Sequence, residues 1–94
     1  MTLKEWLDEN AEGALLADGF EAAILGVAER CSQPPLVVYS VDKCIEILMQ
    51  RDGMGEEEAQ EFFSFNVLGA WVGPRTPLFL WHMELNDDPG GDDR

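Results

Sequence analysis

Apolar positions recur at two different spacings along this 94-residue chain. Leu3, Trp6 and Leu7 stand at i, i+3 and i+4, the stripe of an amphipathic helix. Thr2 followed by Glu5 forms a capping box, which fixes the expected helix start. Glu5, Asp8 and Glu12 follow a helical spacing on the other side, so that face is expected to be acidic. "EGALLADGF" is broken by Gly13 and Gly19 and fits either a short second helix or a loop closing over the core. "AAILGVAERC", residues 22–31, suits a strand or a helix. The strand is preferred, because "QPP" follows and "LVVYS" is β-rich, so the two runs can pair antiparallel. Pro34 and Pro35 are then expected outside the ladder.

Helical spacing returns with Val41, Cys44, Ile45, Leu48 and Met49 facing inward and Lys43, Glu46 and Gln50 outward. Ser40 or Asp42 can cap this helix with a short side-chain oxygen. "RDGMG" breaks it, and "EEEAQEFF" opens another with three glutamates at the positive end of the helix dipole. The two helices are expected to form an αα-hairpin. Ala59, Phe62, Phe63 and Asn66 continue the stripe, which makes both phenylalanines core anchors, sets Phe65 to one side and puts Asn66 at the helix end. "VLGAWVG" then reads as a strand bent at Gly69, and "PRTPLFLWHM" as a further edge strand. The expected fold class is α+β: a small single domain over residues 1–85, with an N-terminal helix, an antiparallel strand pair, an αα-hairpin and one or two C-terminal strands. Residues 86–94, "NDDPGGDDR", are expected to be a disordered acidic tail.

Composition adds charge to this picture. Hydrophobic residues make up 46% and include three Trp and five Phe, enough for a core. Nineteen acidic against six basic residues leave a net charge of −13. Direct nucleic-acid binding and anionic membranes are not expected, because both need Lys and Arg facing phosphate. A partner with a basic surface is favoured by long-range attraction, while plain solubility is the commoner use of such acidity. Residues 22–40 are neutral and residues 67–83 carry +1, whereas residues 1–21 and 41–66 carry −5 each. The strands are thus expected to be neutral and the helices to hold the charge. No signal peptide and no membrane-spanning run stand out, so a cytoplasmic location is expected.

Candidate chemistry is sparse. Cys31 and Cys44 lack CxxC spacing, and Cys44 is expected to be a buried, reduced thiol. His82 is the sole histidine and is expected to be structural, close to a strand end. No P-loop, GxGxxG or HExxH motif occurs, and no enzyme, metal or cofactor is expected. The residues left for partner binding are Glu5, Asp8, Glu12, Glu57 and Glu61, as an acidic array able to imitate a phosphate backbone. The alternative contact is apolar and uses Phe65, Trp71 and Trp81.

"LADGFEAAILGVAERC", "KCIEILMQRDGM", "EEEAQEFFSFNVLGAWVG" and "TPLFL" together resemble a widespread group of small uncharacterised proteins encoded by bacteriophages and prophages. The resemblance covers roughly residues 17 to 80 and is most specific from Glu57 to Gly73. It brings no catalytic or binding residues with it. It implies a phage or prophage accessory protein, and together with the net charge of −13 and the missing catalytic motifs the expected role is non-enzymatic binding of a basic surface on a host protein in the host cytoplasm. A nucleic-acid-handling defence complex is the expected target, inhibited in the anti-CRISPR or anti-restriction manner, with charge mimicry of nucleic acid as the means. The alternative is a small phage structural or adaptor protein with an apolar contact, and homo-oligomerisation stays open.

Overall fold

Helix α1, Leu3–Asn10, starts where the capping box places it. The Thr2 hydroxyl accepts from the Glu5 amide at 3.1 Å and the Glu5 carboxylate accepts from the Thr2 amide at 2.9 Å. The computed structural model describes residues 1–83; the expected tail at 86–94 and the last residues of the expected domain lie outside them. A 3₁₀ turn, Glu21–Ala23, leads into β1, Ile24–Ala28, and β2 spans Leu36–Ser40. Helices α2, Val41–Asp52, and α3, Glu56–Phe63, follow. A π-helical turn, Ser64–Leu68, precedes β3, Leu78–Leu80. Among the described residues this gives three α-helices and a three-stranded sheet, a mixed α+β domain.

The sheet order is β1-β2-β3, with β1 antiparallel and β3 parallel to the central β2. Residues paired across strands share a face, so Ile24, Val27, Val37, Tyr39 and Phe79 point to one side. That side meets Leu7, Ala11, Cys44, Leu48, Ala59 and Phe63 from the helices and forms the core. Tyr39 and Phe79 stack with centroids 5.6 Å apart, and Phe63 meets Phe79 edge-on at 5.4 Å. The other face carries Leu36, Val38, Leu78 and Leu80, none of them fully buried. A bulge at Leu25 shifts the β1–β2 register, since Ile24 pairs with Tyr39 but Gly26 with Val38. Gly26 sits there at φ +156°, where a side chain would be strained.

Several expectations change. Leu7 is buried, but Leu3 and Trp6 of the same stripe stay partly exposed, because α1 is too short and peripheral to seat three large side chains. It ends at Asn10, with Ala11 as the cap residue, so Glu12 lies beyond the helix and does not share its face with Glu5 and Asp8. "EGALLADGF" forms a loop with turns. Phe20 plugs the core from it, and the Ala17 amide donates to the Tyr39 hydroxyl at 2.7 Å. Two arginines hold this loop down. Arg75 Nη2 donates to the Glu12 and Pro35 carbonyls at 3.0 and 2.9 Å, and Arg51 Nη1 to the Gly19 carbonyl at 2.9 Å. Arg51 also lies over the Phe20 ring, 5.3 Å from its centroid.

Ser40, not Asp42, caps α2, accepting from the Lys43 amide at 3.2 Å. Met49 and Phe62, both expected inside, sit at the rim and stay partly exposed. Asn66 does not end the helix. Its side-chain amide donates to the Phe62 carbonyl at 3.2 Å, and the helix passes it into the π turn, closed by Gly69 N–H to the Ser64 carbonyl at 3.1 Å. The expected strand "VLGAWVG" is therefore absent: its first two residues finish the π turn and the rest is irregular. Val67 stays within the helical hydrogen bonding of the π turn, which outweighs its β propensity, and in the irregular segment beyond it the Val72 amide donates to the Thr76 hydroxyl at 3.0 Å.

Candidate contact surfaces

The five candidate carboxylates fall into two unlike groups. On α1, Glu5 is held by the capping box, and Asp8 lies 3.6 Å from Lys4 in an exposed i, i+4 pair. Glu12 is displaced into the turn that Arg75 anchors. Only Glu5 and Asp8 remain on one helix, and both already have local partners. Glu57 and Glu61 differ. Both are exposed on α3, one turn apart, and neither has a cation within ion-pair distance among the described residues.

One further turn along the same line comes Phe65, 81% exposed. Its place in the π turn explains this. The helix has turned past the stripe that ends in the buried Phe63, so the next large ring points to solvent. Trp71 is 73% exposed in the irregular segment that follows. Trp81 differs from these two, since one edge of its indole packs on Phe63 at 6.4 Å between centroids. α3 and its extension therefore present two carboxylates and an exposed ring as one continuous stripe.

A second arrangement escaped sequence reasoning because 42 positions separate its members. Ser40 Oγ and His82 Nε2 lie 3.0 Å apart. Ser40 is 1% exposed and caps α2 with the same hydroxyl, so the pair ties the chain just after β3 to the start of α2. His82 thus lies next to a strand end, exposed, and bonded to the residue that caps α2. The pair borders an open groove of about 640 Å³, shared with Asp42, Lys43, Glu46 and Glu56. Among the described residues no three His, Cys, Asp or Glu side chains converge as metal ligands would.

Burial governs the remaining titratable groups. Cys44 is fully buried and free, and desolvation pushes its thiol up to about 11. Desolvation likewise raises Tyr39, against the opposing effect of the Ala17 amide at its oxygen. Hydrogen bonds from Arg51, 3.1 Å from each carboxylate oxygen, hold Asp52 below its usual range. Cys31 is exposed. No helix among the described residues is long and apolar enough to cross a membrane.

No family model matches the chain, and no curated protein or solved structure matches it either.

Proposed function

We propose that this protein is a non-catalytic phage or prophage accessory protein that binds a host protein through the outer stripe of α3. Glu57 and Glu61 would meet basic side chains of the partner, and Phe65 would enter an apolar recess beside them. The observation that carries this reading is the exposed Phe65 ring one turn beyond two carboxylates that have no ion-pair partner among the described residues. Large aromatic side chains contribute strongly to contacts when they are desolvated, while the flanking charges set the rate of encounter and the choice of partner. The host cytoplasm and a defence target of the anti-CRISPR or anti-restriction kind rest on the sequence alone, its net charge of −13 and its resemblance to phage proteins. A partner evolved to hold nucleic acid offers the basic surface that this stripe needs.

The test is capture of partners from bacterial lysate by tagged wild-type, E57K/E61K and F65S proteins at low and high salt. The wild type should recover a nucleic-acid-handling complex that both variants lose, with recovery falling as salt rises. Unchanged recovery after charge reversal sinks the electrostatic reading. The exposure of Trp71 favours a second reading, a structural or adaptor protein with an apolar contact. Capture that resists salt and charge reversal but is lost in F65S and in a W71S variant would establish it.

A further inference from the structure

The groove beside Ser40 and His82 is walled by both helices of the hairpin. Its α2 wall runs from Asp42 to Gln50, about 12 Å at the helical rise of about 1.5 Å per residue. Ile45 and Met49 lie one turn apart on that wall and give it an apolar line. Ile45 is half-buried against the core, and Met49 is 37% exposed. Asp42 and Glu46, also one turn apart, form an acidic line next to it, and Glu56 stands on the α3 wall. Among the described residues none of these three carboxylates makes an ion pair, and Lys43 is the one Lys or Arg lining the groove. The carboxylates do not converge on a point as metal ligands would. They suit positive charges spread along a chain.

We propose that this groove takes a basic amphipathic helix of a partner protein, laid along α2. The spacing selects the occupant. An apolar line beside an acidic line needs a ligand with apolar and cationic side chains on adjacent lines, each repeating once per turn. One face of a helix offers that, whereas an extended chain presents a single line of side chains to a surface. Aliphatic side chains of the ligand cover Ile45 and Met49, whose flexible thioether adapts to the shape it meets. Its Lys or Arg side chains reach Asp42, Glu46 and Glu56. Charge complementarity favours the same occupant, since the chain as a whole carries −13 and draws cationic segments towards it. Glu57 and Glu61 occupy the next line of α3, outside the groove. This surface is therefore distinct from the stripe that ends at Phe65, and the proposal does not depend on that stripe.

Fluorescence anisotropy tests this with a labelled peptide of about 14 residues, four turns long, made of leucine and lysine in amphipathic helical order. The wild type should bind it saturably, one to one. A peptide of the same composition in scrambled order should bind at least about tenfold more weakly. E46K/E56K should weaken binding at least about tenfold, with a melting curve as the check on folding. M49K, at a site already partly exposed, should do the same even if lysine at position 56 disturbs the start of α3. E9K/E29K changes the net charge equally at exposed sites outside the groove and should stay within about threefold of wild type. F65S should bind the peptide as wild type does, which separates this proposal from the host-protein reading above. Equal binding of the two peptides overturns the proposal, as does an equal loss in E46K/E56K and E9K/E29K, since bulk charge would then account for it. Loss of binding in F65S overturns it too, because the peptide would then sit on the stripe, and so does a wild type that shows no saturable binding.

Discussion

Cys44 and Tyr39 occupy fully buried positions beside each other's elements, one on α2 and one on β2, and each carries a proton that the interior keeps in place. Their effect on stability has a definite sign. Both are acids whose ionised form is penalised by burial, so folding favours the protonated state. At pH 8 and below the thiol is almost wholly neutral in both folded and unfolded chains, and its contribution is complete. Between its ordinary 9.0 and about 11 only the unfolded chain ionises, and stability falls as pH rises. By pH 10.5 the loss from the thiol should reach about 2 kcal/mol, with Tyr39 adding to it at higher pH. Urea unfolding at pH 8 and pH 10.5 checks this. In Cys44→Ala the difference between the two pH values should shrink by that amount, even though the variant is less stable at both. An equal difference in the two proteins would show that the thiol is not protected.

At the scale of elements, the π turn after α3 is the feature with the widest consequences. It takes Asn66 past the expected helix end and delivers Phe65 to solvent. The turn depends on close approach at Gly69, where a Cβ would lie 3.1 Å from the Ser64 carbonyl oxygen and 3.3 Å from that of Phe65. Gly69→Ala should cost about 1 kcal/mol in chemical denaturation and accelerate exchange of the residue 69 amide. An alanine variant as stable as wild type, with that amide equally protected, would mean that the turn has room to give. Much of the fold was legible because its signals are local: the capping box at Thr2 and Glu5, the stripe from Val41 to Leu48, and the prolines between β1 and β2. The π turn was not, since Val67, Trp71 and Val72 have β-forming side chains and no residue pattern marks an i→i+5 hydrogen bond. The candidate stripe was half legible. Spacing placed Glu57 and Glu61 together and set Phe65 aside, but the shortness of α1, which removes Glu12 from the array, depends on Ala11 being drawn into the core.

The whole molecule divides its charge. Of the five basic residues described, Arg51 and Arg75 give their guanidinium groups to backbone carbonyls of the 11–20 loop and to Pro35. Arg51 also pairs with Asp52, which leaves Lys4, Arg30 and Lys43 to offset the other carboxylates at the surface. A compact chain at −13 works against its own repulsion, which unfolding relieves. Salt screens that repulsion within about 10 Å at 0.1 M. The melting temperature should therefore rise between 10 and roughly 300 mM sodium chloride, and scanning calorimetry or circular dichroism would follow it. A flat or falling profile would show that local ion pairs, such as Lys4–Asp8, outweigh the net charge.

The parallel pairing of β3 with β2 has a consequence in time. Val38 meets Leu78 and Tyr39 meets Phe79, so the central strand waits for a partner made about forty residues later. During synthesis the strand pair and both helices of the hairpin emerge while one side of Tyr39 is still bare. Closing so long a loop is slow relative to the local steps before it. A nascent chain stalled before Leu78 would hold its helices and hairpin without Phe79 to lock Tyr39 and Phe63 together, and in that interval it would be open to proteases and to chaperones.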